Sequence, residues 1–145
     1  MTSFLVIFGT GEGQTEKVAS RIVEALTDRG HDARAVNVKD RPSDDDIEEA
    51  DAVIVGSSIH IGKHGRKVRK WARKHRDALA GKPSAFFQVS LSSATEEGAE
   101  EAPKYVDEFT ETTGWHPDRI GLFGGALRFS KYGFIKGFMM KRIAA

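Results

Sequence analysis

The chain has 145 residues, 39% of them hydrophobic and 30% charged, a balance that fits one globular domain over residues 1–145. It contains no cysteine, which excludes disulfides, thiolate zinc sites and iron–sulfur clusters in this chain. The formal net charge is +1, the N-terminus lacks a signal-peptide pattern, and no apolar run approaches the ~20 residues that cross a bilayer. We therefore expect a cytoplasmic location.

Strands and helices are predicted in alternation along the chain. Apolar and β-rich runs predict five strands, at residues 4–8, 33–38, 52–55, 84–89 and 120–127. Apolar residues at helical spacing predict helices between them, at residues 13–27, 44–50, 64–79 and 99–113, with Ser43 as the N-cap of the second. Such alternation implies right-handed βαβ crossovers. The predicted fold class is α/β, a doubly wound five-stranded parallel sheet with helices on both faces.

The charges are unevenly distributed along the sequence. Residues 63–76 contain eight lysines and arginines and no acid, whereas residues 94–111 contain seven acids and a single lysine. Two solvated helix faces would explain both runs. The alternative is a docking surface for an anionic partner or an anionic membrane.

The turn after the first strand has the composition of a phosphate site. Ligands of parallel sheets bind beyond the carboxyl ends of the strands, and the N-terminus of the following helix attracts anions. Gln14 stands where a P-loop requires lysine and where the dinucleotide fingerprint requires its third glycine, so neither motif is complete. Two hydroxyls and several backbone N–H groups suit a terminal monophosphate. The candidate residues are Thr10, Gly11, Glu12, Gly13, Gln14 and Thr15.

The turns after the third and fourth strands are predicted to hold a flat apolar ring, because one has two isoleucines between glycines and the other supplies hydroxyl and N–H groups. The candidate residues are Ser57, Ser58, Ile59, His60, Ile61 and Gly62 in the first turn and Ser90, Leu91, Ser92 and Ser93 in the second. His60 either tunes the charge of the ring or is a solvated loop histidine. Since His60 and His64 lack a third ligand at suitable spacing, no metal is expected.

A phosphate seat and two walls for a flat ring describe a site for flavin mononucleotide (FMN), and through these loops the chain resembles the flavodoxin family. Residues 13–15, 56–62, 82–91 and, above all, 114–119 and 125–129 resemble the menaquinone-dependent protoporphyrinogen oxidase branch of the flavodoxin-like proteins. That resemblance implies an FMN-dependent enzyme of heme biosynthesis, which oxidises protoporphyrinogen IX to protoporphyrin IX and passes electrons to a membrane quinone. The flavin would carry the chemistry, so no catalytic side chain and no nucleic-acid partner are expected.

Residues 129–145 mix aromatic and basic side chains and resemble the start of a long insertion in that branch. The pattern fits either an interfacial amphipathic helix or a terminal helix that packs on the sheet. The family resemblance favours the first, which predicts peripheral contact with an anionic membrane, at the inner face of the cell membrane. The residues expected to contact substrate or membrane are Arg128, Phe129, Lys131 and Tyr132. Because members of the branch continue beyond this segment, the chain is expected either to be truncated or to close its sheet differently.

Two other classes of function stay open at this point. A flavodoxin that only carries electrons between proteins would use the basic run 63–76 as its docking face, although flavodoxins are typically acidic. A flavodoxin-like domain without flavin would act as an interaction module, and its melting temperature would not respond to added FMN.

Overall fold

The structure of the protein, a computed structural model, describes residues 2–9, 14–60, 63–89 and 96–123. In chain order these residues form β1 (Ser3–Phe8), α1 (Gln14–Asp28), β2 (Asp32–Asn37), a 3-10 turn (Val38–Asp40), α2 (Asp44–Glu49), β3 (Ala52–His60), β4 (Lys63–His64), α3 (Arg66–Lys74), α4 (Arg76–Ala80), β5 (Ser84–Val89), α5 (Glu96–Thr113) and β6 (Arg119–Phe123). The segment after α1 turns at Gly30, whose φ of +85° is a conformation that glycine adopts without strain.

Five of the strands form one parallel sheet in the order β2-β1-β3-β5-β6, and the short β4 pairs with β3 in the antiparallel sense. The order is not sequential, because the chain passes from β1 outward to β2 and then returns to place β3 on the other side of β1. The predicted five-stranded parallel sheet is therefore confirmed. Its switch point lies between β1 and β3.

The core occupies both faces of the sheet. On one face, α1 packs its apolar stripe, with Val18, Ile22 and Leu26, against the strands. On the other face, the helices α2 to α5 bury Trp71, Phe109 and other apolar side chains. A central strand such as β1 is consequently apolar from Phe4 to Phe8, as expected for strands covered on both faces.

The strand predicted at residues 52–55 is longer in the structure and runs as far as His60. Residues 56–58 continue the parallel pairing with 87–89 of β5, and Ile59 and His60 pair with β4. These neighbours supply backbone hydrogen bonds to a Gly-Ser-Ser segment whose own propensity favours a turn. The boundary prediction was wrong because tertiary pairing outweighed local preference.

The helix predicted at residues 64–79 is broken at His75, whose φ of −104° and ψ of 16° separate α3 from α4. The Nδ1 atom of His75 lies 2.5 Å from Oδ1 of Asp44, and its ring packs against Trp71 with the centroids 4.8 Å apart. The indole N–H of Trp71 donates to the carbonyl of Pro42 at 2.8 Å. These contacts join the break to the segment around α2, which is distant in sequence.

Candidate functional site

The carboxyl ends of β1, β3 and β5 lie side by side at one edge of the sheet, next to the start of α1. Since β1 and β3 are parallel neighbours whose connections leave in opposite directions, this edge is the switch point of the sheet. Open α/β sheets bind ligands at such a point. The described residues at this edge are therefore the first candidates for a site.

Two glycines allow close packing at this edge. A Cβ added at Gly9 would lie 2.0 Å from Cγ2 of Val68, and one added at Gly56 would lie 1.9 Å from Cζ of Phe87. The N–H of Gly9 donates to the carbonyl of Gly56 at 3.3 Å, which keeps the chain attached to β3 just past the end of β1. A larger residue at either position would have to displace a core side chain.

Thr15 extends the buried stripe of α1 by one turn beyond Val18 and Ala19. Its side chain is 1% exposed, and its Oγ1 atom has no hydrogen-bond partner in the described part of the chain. A buried hydroxyl without a partner is unfavourable. The first N–H groups of a helix also lack intrahelical acceptors, and they lie at the positive end of its dipole. A small anion at this position would satisfy the hydroxyl and the amides together.

Two polar residues, Ser57 and Gln88, are buried near the same edge. They are opposite each other in the β3–β5 register, and both are on the face covered by α3 and α5. Ser58 follows towards the edge, is half-buried and lies opposite Val89. Ser57 and Ser58 were predicted as site residues from the sequence, whereas Gln88 was not. Its signal was an amide side chain in the otherwise apolar run 85–89.

The other predicted site residues are described in part or not at all. Gln14 opens α1, and Ile59 and His60 end β3; for these three residues the backbone alone is described. The predicted site residues that lie outside the described residues are Thr10, Gly11, Glu12, Gly13, Ile61, Gly62, Ser90, Leu91, Ser92, Ser93, Arg128, Phe129, Lys131 and Tyr132. Their roles stay predictions.

Among the described residues, no group of three or more acidic or histidine side chains is arranged to hold a metal ion. In the same part of the chain, no helix is both long and apolar enough to cross a membrane.

A lowered pKa is found for Asp46, chiefly because the backbone N–H of Ser43 donates to its carboxylate. Asp46 lines a cavity with Ser3, near the amino end of β1, so this shift lies away from the candidate edge.

Similarity to known proteins extends over nearly the whole chain. The sequence model of the flavodoxin domain matches residues 5–145. Protoporphyrinogen IX dehydrogenase [quinone] of Escherichia coli (strain K12) is 33% identical over 140 residues, which cover 96% of this chain and 77% of the relative. A protein of the same name from Leishmania major is 27% identical over 132 residues, covering 90% of this chain and 57% of the relative.

The fold is also found among solved structures. A Fusobacterium nucleatum flavodoxin bound to flavin mononucleotide superposes with a TM-score of 0.67 at 14% identity, covering 97% of this chain and 96% of the flavodoxin. At that identity the likeness supports the fold alone. Together with the match of the domain model over residues 5–145, the parallel sheet order and the switch point show that this chain belongs to the flavodoxin domain family.

Proposed function

We propose that this protein is an FMN-dependent oxidoreductase that oxidises protoporphyrinogen IX to protoporphyrin IX and delivers the electrons to a quinone. The observation that carries the proposal is the similarity to the Escherichia coli protoporphyrinogen IX dehydrogenase [quinone], which is 33% identical over 96% of this chain. The relative from Leishmania major has the same name, so the likeness to this activity is not limited to one group of organisms.

The candidate edge fits the phosphate of FMN. The buried Oγ1 of Thr15 lacks a partner in the described residues, and it lies in the first turn of α1, where backbone N–H groups are available. A phosphate accepts several hydrogen bonds at once, and bonds to a charged acceptor are stronger than those between neutral groups. In the proposal, the preceding residues Thr10, Gly11, Glu12, Gly13 and Gln14 complete this seat.

The ring of FMN is assigned to the same edge, beyond β3 and β5. Ser57 and Ser58 lie at the end of the parallel pairing, and Gln88 is placed beside Ser57 by the register of the two strands. The two turns predicted from the sequence span residues 56–62, of which 56–60 belong to β3 in the structure, and residues 90–93, which follow β5 in sequence. In the proposal these two turns form the walls on either side of the ring, and His60 is the residue placed to tune its charge.

When bound, FMN supplies the acceptor for the hydride or electrons that leave the substrate. The contribution of the chain is to bind and orient. Thr15 holds the phosphate end, and the β3 and β5 ends position the ring at the switch point. Gly9 and Gly56 keep the supporting backbone closely packed beneath the site. No described side chain is required to exchange a proton with the substrate.

The partners in this proposal are a porphyrinogen and a quinone. The residues proposed to contact the substrate or an anionic membrane are Arg128, Phe129, Lys131 and Tyr132. Support for the last three comes from the basic and aromatic pattern of residues 129–145, which is typical of an interfacial helix. Arg128 directly precedes that segment.

The proposal is tested by an anaerobic assay of the purified protein, reconstituted with FMN and supplied with protoporphyrinogen IX and a water-soluble quinone. We expect porphyrin fluorescence to increase only when protein, FMN and quinone are all present. Reactions without quinone and without FMN are the controls. If protein that has bound FMN forms no porphyrin above these controls, the enzyme proposal is wrong.

A further inference from the structure

The outward side of α3 and the start of α4 carry a continuous group of cations, which we name the α3 basic surface. All of its members are exposed: Arg66, Lys67, Lys70, Arg73, Lys74 and Arg76. The opposite side of α3 is buried in the core through Val68, Trp71 and Ala72. The helix therefore has one side that holds it on the sheet and one side that presents a single sign of charge.

The cations of this surface have no carboxylate partner within the described part of the chain. Elsewhere an exposed arginine such as Arg21 lies 3.6 Å from a carboxylate, that of Glu24. On the α3 basic surface, the contact made by a guanidinium is to a backbone oxygen, where Arg76 donates to the carbonyl of Arg73 at 3.2 Å. A depression of about 380 Å³ lies between four of the cations and Asp77 of α4. Asp77 is the acid that lines this depression.

Helix stability accounts for Arg73 and Lys74, which lie in the last turn at the negative end of the helix dipole, but not for the cations at the start of α3. Like charges one turn apart repel each other, and cations in the first turn oppose the positive end of the helix dipole. Arg66 and Lys67 nevertheless occupy the first turn of α3, and that turn contains no acid. A negatively charged partner outside the chain would remove both penalties.

We infer that the α3 basic surface docks the protein onto an anionic lipid membrane. The inference rests on the proposed function, since a quinone with a long hydrocarbon tail resides in the bilayer and its reductant must reach it there. Attraction between anionic headgroups and the exposed cations of α3 would bring the protein to the membrane surface.

The chemistry of the surface favours lipid headgroups over an acidic protein. Protein interfaces are anchored by a few buried aromatic or apolar side chains surrounded by polar contacts. Among the described residues, the large hydrophobic side chain that is exposed is Ile120, which lies on β6 and not on α3. A layer of anionic headgroups requires no such anchor, because attraction depends on the number of cations near the surface.

The test is sedimentation of the FMN-loaded protein with vesicles of phosphatidylcholine alone and of phosphatidylcholine mixed with phosphatidylglycerol. We expect binding to the mixed vesicles, little binding to the neutral ones, and weakening as salt shortens the screening length. Each lysine close to an anionic surface contributes about fivefold to partitioning. The double variant Lys70→Gln/Lys74→Gln should therefore bind about 25-fold more weakly.

The matched control is Lys39→Gln/Lys104→Gln, which removes the same charge from two exposed lysines outside the α3 basic surface. We expect the control to keep most of the affinity. Equal losses in the two variants would show that net charge or another segment is responsible, and the inference would be wrong. It would also be overturned if wild-type protein ignored the mixed vesicles but bound a soluble polyglutamate peptide, which would identify an acidic protein as the partner.

Failure of this inference is distinguishable from failure of the proposed function. With a water-soluble quinone and no lipid, Lys70→Gln/Lys74→Gln should bind FMN and form porphyrin at the wild-type rate. A protein that binds mixed vesicles through α3 but forms no porphyrin would contradict the proposed function alone. Porphyrin formation without vesicle binding would contradict the docking inference alone.

Discussion

At the scale of single residues, a substitution of Thr15 can distinguish whether its hydroxyl serves FMN binding or the stability of the fold. The hydroxyl is buried at the first turn of α1 without a hydrogen-bond partner in the described residues. Thr15→Val keeps the shape and removes the unpaired group, so the free energy of unfolding of the FMN-free protein should be unchanged or higher by up to about 1 kcal/mol. The same change should weaken FMN binding by about tenfold to a hundredfold, because a hydrogen bond to a charged group is lost.

Urea denaturation of the FMN-free protein and titration of FMN fluorescence measure the two effects of this change. Thr27→Val is the matched control, since Thr27 is exposed at the far end of the same helix. Its FMN affinity should equal that of the wild type. A Thr15→Val protein that loses stability but binds FMN normally would assign the hydroxyl a structural role.

Gly56 provides a second prediction for one residue. Its missing side chain leaves room for the ring of Phe87, which is fully buried, and a Cβ would approach that ring to 1.9 Å. Gly56→Ala should destabilise the protein by about 1–3 kcal/mol, because the ring can move only by disturbing the core. Chemical denaturation checks the value. Gly81→Ala is the control, since its φ of −81° suits any residue and the nearest atom to an added Cβ is the carbonyl oxygen of Ala78 at 3.6 Å, an ordinary contact. A loss of similar size in both variants would contradict the packing explanation.

At the scale of elements, α2 is held by a reciprocal cap. The hydroxyl of Ser43 accepts from the backbone N–H of Asp46 at 3.3 Å, and the carboxylate of Asp46 accepts from the backbone N–H of Ser43 at 2.8 Å. This second bond is the main reason that the pKa of Asp46 is lowered. Ser43→Ala should decrease stability by about 1 kcal/mol, the usual effect of removing an N-cap.

The pH dependence of this cap has a definite sign. Because the folded pKa of Asp46 is below its unfolded value, the ionised carboxylate stabilises the fold at neutral pH, and that contribution is lost as pH falls through the folded pKa. Asp46→Asn should therefore be less stable than wild type at neutral pH, with the difference disappearing in acid below the usual aspartate range. Melting curves across pH measure this, with Asp45→Asn as a control of equal charge. A difference that persists unchanged in acid would contradict it.

The connection between α5 and β6 is fixed to β5 by two hydrogen bonds that involve Ser84. Gly114 turns with a φ of +77°, and the buried indole of Trp115 donates to the hydroxyl of Ser84 at 3.1 Å. The N–H of Ser84 in turn donates to the carboxylate of Asp118 at 2.9 Å. Ser84 is at the amino end of β5, opposite the candidate edge. Residues 114–119, which resemble the protoporphyrinogen oxidase branch, are thus involved here in anchoring the fold.

At the scale of the whole molecule, the fold could be predicted because strands buried on both faces are continuous apolar runs. The prediction at residues 84–89 coincides with β5. Two differences come from tertiary pairing and packing that the sequence pattern does not show. β3 extends past residue 55 because β5 and β4 pair with it, and the helix breaks at His75 where Asp44 meets its ring. Gln88 became a candidate only when the register placed it opposite Ser57.

The central claim, that the N-terminus of α1 and Thr15 seat the phosphate of FMN, is tested most directly by comparing FMN with riboflavin, which has the same ring without the phosphate. Titration of flavin fluorescence with the FMN-free protein gives both dissociation constants. The account predicts that FMN binds at least about tenfold more tightly, since charge-assisted hydrogen bonds form with FMN only. Equal affinities, or the absence of binding by either flavin, would contradict it.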